Sequence, residues 1–273
     1  MVVFIVFVFA PLLFAGYISL FEWEIIGVPQ FIGVENYTEM AQDPLFWRSL
    51  LNTIIYTIGT VPTSMALGLA VAILLNLKLP ARSFLRSIYF LPVVISGVAT
   101  ALIASWIFNV NYGIINNALN QVGIENIPWL STPGWAMTSL IITTLWIRLG
   151  FCMVIYLAGL QTIPEMYYDA AKVDGASAWK RFLNITWPLL GPTTFLLLII
   201  NIIFSFHVFD IIYVMTGGGP GFSTTVLVQY IYRAAFQTSE MGYASAMGIM
   251  LFLMLLIFTV LHWRVSQRDE AIH

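Results

Sequence analysis

The sequence predicts an all-α integral membrane protein with six transmembrane helices. Of its 273 residues, 60% are hydrophobic and 9% are charged, whereas soluble domains carry about 25% charged residues. Six stretches are apolar over the roughly 20 residues that a helix needs to cross the hydrocarbon core. They lack the alternation of polar and apolar residues that is typical of membrane β-barrels. The chain, 1–273, is therefore predicted to be a single transmembrane domain.

The six predicted spans are 2–20, 47–76, 84–109, 135–160, 187–214 and 241–263. The first has the position of a signal peptide. It has no basic residues before it and no small-residue cleavage site, and its apolar run exceeds that of a signal peptide, so we expect a span. The absence of preceding basic residues is also what a truncated N-terminus would leave.

Basic residues predict the orientation of the spans. An even number of spans places both termini on one side of the membrane. Eight of the 11 Lys and Arg residues fall in the loops after the second and fourth spans and in the C-terminal tail. The positive-inside rule therefore places these loops and both termini in the cytoplasm. The eight are Lys78, Arg82, Arg86, Lys172, Lys180, Arg181, Arg264 and Arg268.

Composition excludes several classes of function. The net charge of −2 gives no electrostatic basis for binding nucleic acid. One cysteine, Cys152, excludes a disulfide framework and a thiolate metal site. The sequence has no G-x-x-x-x-G-K-[ST] motif, so it has no P-loop ATPase site. We expect no metal, no cofactor and no catalytic residues.

The segment 162–190 is predicted to form a helix, a turn and a second helix. Pro164 suits a helix start, Glu165 lies in its first turn, and Asp174-Gly175 is a turn signal. Small residues leave a surface that another protein can approach, and the apolar Val173, Trp179 and Phe182 can fill pockets in it. The pattern equally fits an amphipathic loop lying on the bilayer.

This segment resembles the EAA loop of ABC importer permeases, whose pattern is E-A-A-x-x-D-G-A followed by F-x-x-I-x-L-P. Asp169 stands where the pattern has Glu, and Trp187 where it has Leu. The resemblance implies a coupling helix that docks in a groove of a cytoplasmic ATPase. It also implies two ATP-binding subunits, a second and different permease, and an extracytoplasmic solute-binding protein as partners. The matching residues are Asp169, Ala170, Ala171, Asp174, Gly175, Ala176, Phe182, Ile185 and Pro188.

Three further stretches are similar to the maltose-type, first-permease branch of the carbohydrate-uptake family. They are the F-x-G-x-x-N-Y pattern at 31–37, Ala158-Gly159-Leu160-Gln161, and 210–216 with the glycines and proline that follow. The resemblance implies the type I importer permease fold, a sugar-like solute, and a place in the cytoplasmic (inner) membrane lipid of a bacterium or archaeon. It does not specify the sugar.

Polar residues predict where a solute passes. Arg148 falls within the fourth span, where a charge costs about 2.5–3.5 kcal/mol on insertion scales and suggests a function. At helical spacing, Thr144, Arg148 and Phe151 share one face of the fourth span. Asn201, Ser205 and Val208 share a face of the fifth span at the same depth.

These two faces together can line a cavity, because hydroxyl and amide groups with an aromatic ring suit a sugar. The resemblance to the maltose permease implies sugar-binding positions on these two helices. The alternative is that the polar groups join helices. Arg148 would also suit a phosphate or carboxylate on the solute. The sequence assigns no role to His207 or Asp210.

Three functions fit a membrane protein of this kind. The first is the translocation subunit of an ABC importer. The second is a secondary carrier that works as a homodimer, which calls for intramembrane carboxylates, whereas Asp210 is the one such acid in the predicted spans. The third is a membrane-embedded enzyme, for which paired carboxylates or a His cluster within the spans are missing.

Overall fold

A computed structural model describes residues 2–25, 27–77 and 80–270, with side chains through Arg264. Lys78 and the side chain of Arg268, both used in the orientation argument, lie outside the described residues and side chains. The helices are α1 Val2–Ile18, α2 Glu35–Gln42, α3 Pro44–Asn76, α4 Arg82–Val94, α5 Gly97–Ile107, α6 Ile114–Gln121, α7 Pro133–Thr162, α8 Glu165–Val173, α9 Ala178–Leu189, α10 Gly191–Phe206, α11 Asp210–Met215, α12 Leu227–Phe236 and α13 Met241–Glu270. Strands β1 Phe21–Glu22 and β2 Gln30–Phe31 pair antiparallel.

Most of each predicted span is helical, and two of the spans are broken by non-helical residues. In the described part of the chain, α3, α7 and the 241–264 part of α13 are long and apolar enough to cross a membrane. The pair α4 and α5 bends by 98°, and the pair α9 and α10 bends by 64°. If each bent pair is one span, five spans result, and α1 is a shorter apolar helix. The helical fold is confirmed, whereas the six-span topology stays a prediction.

Proline and extended backbone explain the first break. Pro92 lies in the last turn of α4, and Ile95 and Ser96 adopt extended conformations before α5 begins at Gly97. The fifth predicted span also ends early, because α10 stops at Phe206 and α11 begins only at Asp210. The number of apolar residues in a span does not reveal these interruptions.

The chain divides into two compact units. The first comprises residues 1–55, 128–137 and 206–273, and the second comprises 56–127 and 138–205. In the second unit, α3 packs against α7 and α10 through a buried apolar core that includes Leu69, Met153 and Leu197. Gly68 of α3 lies directly against Cys152 of α7. Small residues at such crossings allow membrane helices to approach closely.

In the first unit, a carboxylate joins three helices. Asp43 precedes α3, and its Oδ1 accepts a 2.7 Å bond from the Leu45 amide. Its Oδ2 accepts bonds from the hydroxyls of Tyr230 in α12 and Tyr243 in α13, at 2.6 and 2.7 Å. Burial alone would raise the pKa of Asp43, but these hydrogen bonds stabilise the charged form and lower the pKa below its ordinary 3.8.

Replacing Gly68 by Ala is expected to separate α3 from α7. The added Cβ would lie 2.5 Å from Cys152 Cβ and 3.0 Å from the Met153 amide nitrogen, so backbone must move. We expect a loss of about 1–3 kcal/mol, measured as a lower unfolding temperature of the purified protein in detergent. Gly248→Ala in α13, where nothing lies within 4 Å, is the control, and equal losses in both variants would contradict this close approach.

Replacing Asp43 by Asn is expected to destabilise the first unit by about 1–3 kcal/mol at neutral pH. Because the folded-state pKa is depressed, the stabilisation by the carboxylate is complete above the unfolded pKa. It is lost as the pH falls below 3.8 and through the lower folded value. Denaturant unfolding of both proteins at several pH values checks this. A wild-type advantage that does not shrink in acid would show that the charge is not responsible.

Candidate functional site

The loop between α7 and α10 folds as predicted into helix, turn and helix. The Ala176 amide donates to the Ala171 carbonyl at 2.8 Å, and the Gly175 amide donates to the Lys172 carbonyl at 3.1 Å. This pair of bonds is a Schellman motif, which ends a helix with a left-handed residue. Gly175 takes that place with φ +73°. The glycine of the sequence motif is therefore required by the backbone of the turn.

The second helix of the loop begins with a side-chain cap. Ser177 Oγ accepts a 3.3 Å bond from the Lys180 amide, which satisfies one of the free donors at a helix start. The turn 174–177 is thus fixed at both ends by local hydrogen bonds. A turn fixed in this way presents its residues at a constant angle.

Most residues of the loop motif are exposed. Asp169, Ala170, Asp174 and Gly175 are exposed, and Ala171, Ala176 and Phe182 are half-buried. Val173 is 89% exposed and Trp179 is 67% exposed. Phe182 differs from the expectation that it faces a partner, because it packs against the core of the second unit and stacks on Trp179 with centroids 5.5 Å apart. Of the three apolar residues expected to fill pockets in a partner, Val173 and Trp179 are therefore the exposed ones.

A cavity of about 700 Å³ lies between the loop and the ends of α3 and α7. The Tyr168 hydroxyl, on its wall, lies 3.0 Å from Thr186 Oγ1 and hydrogen-bonds with it, which ties α8 to α9. Lys172 donates to Asp169 Oδ1 at 2.7 Å across the exposed side of α8. An exposed ion pair of this kind adds little stability. The hydrogen bond between Tyr168 and Thr186 therefore contributes more to the stability of the loop than the ion pair does.

The predicted solute residues Thr144, Asn201 and Ser205 are buried. Thr144 Oγ1 and the Tyr56 hydroxyl of α3 lie 2.7 Å apart, and Ser205 Oγ lies 2.6 Å from Thr57 Oγ1. The Asn201 amide nitrogen donates to the Leu197 carbonyl of its own helix at 2.8 Å and to Cys152 Sγ of α7 at 3.5 Å. Each group thus has a partner within the second unit, which is the helix-joining arrangement that the sequence left open as an alternative.

Arg148 and Phe151 meet a residue that the sequence reasoning missed. The Arg148 guanidinium carbon lies 4.0 Å from the centroid of the Phe204 ring. Phe151 meets the same ring edge-on, with centroids 6.5 Å apart. Phe204 is three residues after Asn201, so the helical spacing used for the fifth span was the signal that could have found it.

Val208 departs from its predicted place. Helix α10 ends at Phe206, so Val208 does not continue the helical face of Asn201 and Ser205. It belongs to the first unit, with His207 and Asp210. His207 is exposed after the end of α10, and Asp210 begins α11. In 2–25, 27–77 and 80–270, no group of three or more His, Cys, Asp or Glu residues is placed to hold a metal.

Helices that are long and apolar enough to cross a membrane define the chain as a membrane protein. The model of the family described as "Binding-protein-dependent transport system inner membrane component" matches residues 64–268. The chain belongs to this family, and it is an ABC transporter permease for sugars in the inner membrane. This confirms the resemblance and the location inferred from the sequence.

Similar proteins cover nearly the whole chain. The sulfoquinovosyl glycerol transport system permease SmoG of Agrobacterium fabrum is 39% identical, over 97% of this chain and 86% of its own length. The trehalose/maltose permease MalF of Thermococcus litoralis is 35% identical, over 96% and 89%. A chain of a bacterial alginate ABC transporter, solved in complex with its alginate pentasaccharide-bound periplasmic protein, has a TM-score of 0.87 and 26% identity, over 98% and 91%.

Replacing Tyr168 by Phe is expected to loosen α8. The change removes one hydroxyl and leaves the buried Thr186 hydroxyl without this partner, at a cost of about 1 kcal/mol. Hydrogen–deuterium exchange of the α8 amides should become faster. The control is Tyr167→Phe, whose ring is 49% exposed, and α8 exchange that is equally fast in both variants would rule out the Tyr168 tie.

Proposed function

We propose that this chain forms half of the translocation pathway of an ATP-driven importer for a sugar or sugar-like solute. Its partners are a second, different permease, two copies of a cytoplasmic ATP-binding subunit and an extracytoplasmic solute-binding protein. Family membership supports the permease role. The alginate transporter chain, whose complex includes a periplasmic binding protein, supports the last partner.

In this proposal the loop 165–190 is the contact with the ATPase. The observation that carries it is the capped turn: Gly175 at φ +73° holds the motif residues on an exposed surface. Val173 and Trp179, which are largely exposed, supply apolar area for a groove in the partner. The two helices of the loop are held together by the hydrogen bond between Tyr168 and Thr186, so the loop moves as one body. ATP-driven motion of the ATPases would then reach α10 through α9.

The solute passes, in the same proposal, along the faces of α7 and α10 that hold Thr144, Arg148 and Phe151, and Asn201 and Ser205. Because the buried hydroxyls and the amide join helices, they fix the faces in place. The ring of Phe204, which is 48% exposed, is a surface on which a sugar ring can stack.

The sequence also left open a homodimeric secondary carrier. Family membership favours the importer. In addition, α7, α10 and the 56–76 part of α3 contain no Asp or Glu, whereas ion-coupled carriers use such carboxylates within the membrane.

Purification of the tagged chain from its native membrane in mild detergent tests the assembly. We expect mass spectrometry to find an ATPase and one different permease with it. Recovery of the chain alone or as a homodimer, under conditions that preserve other membrane complexes, would support the secondary carrier instead.

Replacing Gly175 by Val is expected to uncouple transport from ATP hydrolysis. A β-branched residue at φ +73° distorts the turn, so solute uptake by the complex in vesicles should fall about tenfold, which is about 1.4 kcal/mol in activation free energy. Gly123→Val is the matched control, because Gly123 has φ +80° with nothing within 4 Å and lies outside the loop. It should insert and transport like the wild type, whereas normal uptake by Gly175→Val would refute the coupling role.

A further inference from the structure

The cavity between the loop and the ends of α3 and α7 is large enough for a small molecule. Its volume of about 700 Å³ falls within the range of roughly 300–1,000 Å³ that is typical of ligand sites. Its walls come from four helices of the second unit, α3, α7, α8 and α9. Of the described residues that line it, none belongs to the proposed solute passage. The cavity is therefore a second concave site, separate from that passage.

Helix α8 presents one side to the cavity and another side to its surroundings. The cavity side holds residues at spacings of three, four and seven, which share a helical face: Glu165, Tyr168, Asp169 and Lys172. Residues 166, 170 and 173 share a different face, on which Met166 is 70% and Val173 is 89% exposed. In the proposed function, Val173 meets the ATPase. The cavity side of α8 is thus a different surface from the one offered to that partner.

Each of the four helices brings to the cavity a polar side chain that has no partner among the described residues. These side chains form no hydrogen bond or ion pair within 2–25, 27–77 and 80–270. They are Asn76 of α3, Gln161 of α7, Glu165 of α8 and Arg181 of α9. Amides donate and accept, a guanidinium donates and a carboxylate accepts, so together they match hydroxyl groups, which do both. A ligand bonded to several of them would join α8 to the ends of α3 and α7.

Charge and aromatic surface narrow the class of ligand. Two carboxylates and two cations line the cavity, and they are Glu165, Asp169, Lys172 and Arg181. Because their formal charges cancel, the cavity offers a phosphate or another anion no net electrostatic attraction. The rings of Tyr168 and Phe182 also line it, and such rings suit the apolar face of a sugar. Groups that match hydroxyls, without a net charge and next to aromatic rings, favour a neutral sugar.

We propose that this cavity is a regulatory site that binds a neutral sugar of one or two rings from the cytoplasm and thereby slows import. The inference rests on the proposed function, because it needs the loop to face the cytoplasm and to follow the ATPases. A sugar bonded to Glu165 of α8 and to Asn76 or Gln161 holds the loop against α3 and α7. A ligand that binds one conformation more tightly shifts the equilibrium towards it, so accumulated sugar limits its own uptake.

Occupancy of the cavity is measured on the complex purified with its ATPase and second permease, without solute-binding protein. Gln161→Cys places a thiol in the cavity wall, and the native Cys152 is fully buried. Labelling of this chain by a charged maleimide is followed by mass spectrometry, with maltose, trehalose or glucose 6-phosphate at millimolar concentration. We expect maltose or trehalose to slow the labelling severalfold and glucose 6-phosphate to leave it unchanged.

Gln121→Cys is the matched control for the labelling. Gln121 is likewise an exposed glutamine in the last turn of its helix, α6, and it lies outside the cavity. Its labelling should not respond to sugar. Equal protection of the thiol at 161 by glucose 6-phosphate would overturn the neutral class of ligand. A thiol at 161 that stays unreactive with and without sugar would show that another subunit fills the cavity, and would overturn the regulatory site.

Transport is measured in vesicles with ATP and unlabelled maltose or trehalose inside, and with solute-binding protein and the labelled disaccharide outside. Wild-type uptake should fall as the internal concentration rises. Gln161→Leu and Asn76→Leu each remove one amide with little change in size, so the internal concentration that halves uptake should rise about tenfold. Gln121→Leu should respond to internal sugar as the wild type does.

The outcomes distinguish the regulatory site from the proposed function. Internal sugar that slows the wild type and every variant equally would act elsewhere, in the solute passage, and the regulatory site would be wrong. Wild-type uptake that ignores internal sugar would also overturn the site and leave the importer intact. If neither disaccharide enters the vesicles and loaded binding protein does not stimulate ATP hydrolysis, the proposed function fails, whereas the labelling still decides whether the cavity binds sugar.

Discussion

Hydrocarbon offers no hydrogen bonds, and this constraint organises the second unit. Each polar side chain in α3, α7 and α10 that cannot reach water must find a partner on its own or a neighbouring helix. Tyr56 with Thr144 and Thr57 with Ser205 meet this demand between helices. Because each pair needs an interatomic distance near 2.7 Å, the helices are held in one register. Gly68 against Cys152 then allows the backbones to approach.

Under the same constraint, the charged residue Arg148 differs from the neutral polar groups around it. A hydroxyl pair is satisfied locally and stabilises packing, but a guanidinium has more donors and a full charge. Its place at the middle of α7 is costly on insertion scales. The ring of Phe204 offsets part of this through its face. The hydroxyl pairs join the helices of this unit without such a cost, because they are neutral.

The extent of the helices could be predicted from the sequence because apolar length is a local property. Helix occupies most of every predicted span. The breaks were not predicted, since the 98° bend between α4 and α5 depends on how Ile95 and Ser96 extend after Pro92. The end of α10 at Phe206 likewise moved Val208 off the face assigned to it. Interruptions of one to three residues do not change the mean apolarity of a span.

The two candidate sites also differ in how much of each could be predicted from the sequence. The loop turn was predictable because its caps lie within a few residues, as Gly175 and Ser177 show. The partners of Thr144 and Ser205 were not, because Tyr56 and Thr57 are far away in the sequence, and no spacing rule joins α3 to α7 or α10. Phe204 was missed because aromatic residues in an apolar span look like lipid-facing side chains. Its contact with Arg148 became apparent only from the structure, in which the guanidinium lies over the Phe204 ring.

The two sites place different demands on their surroundings, and the structure meets them differently. A docking loop must keep one shape while it moves, so it relies on short-range caps and on the bond between Tyr168 and Thr186. A passage for solute must present a group without binding it permanently. In the proposed passage the exposed ring of Phe204 is such a group, and the buried hydroxyl pairs Tyr56–Thr144 and Thr57–Ser205 hold α7 and α10 against α3 behind it.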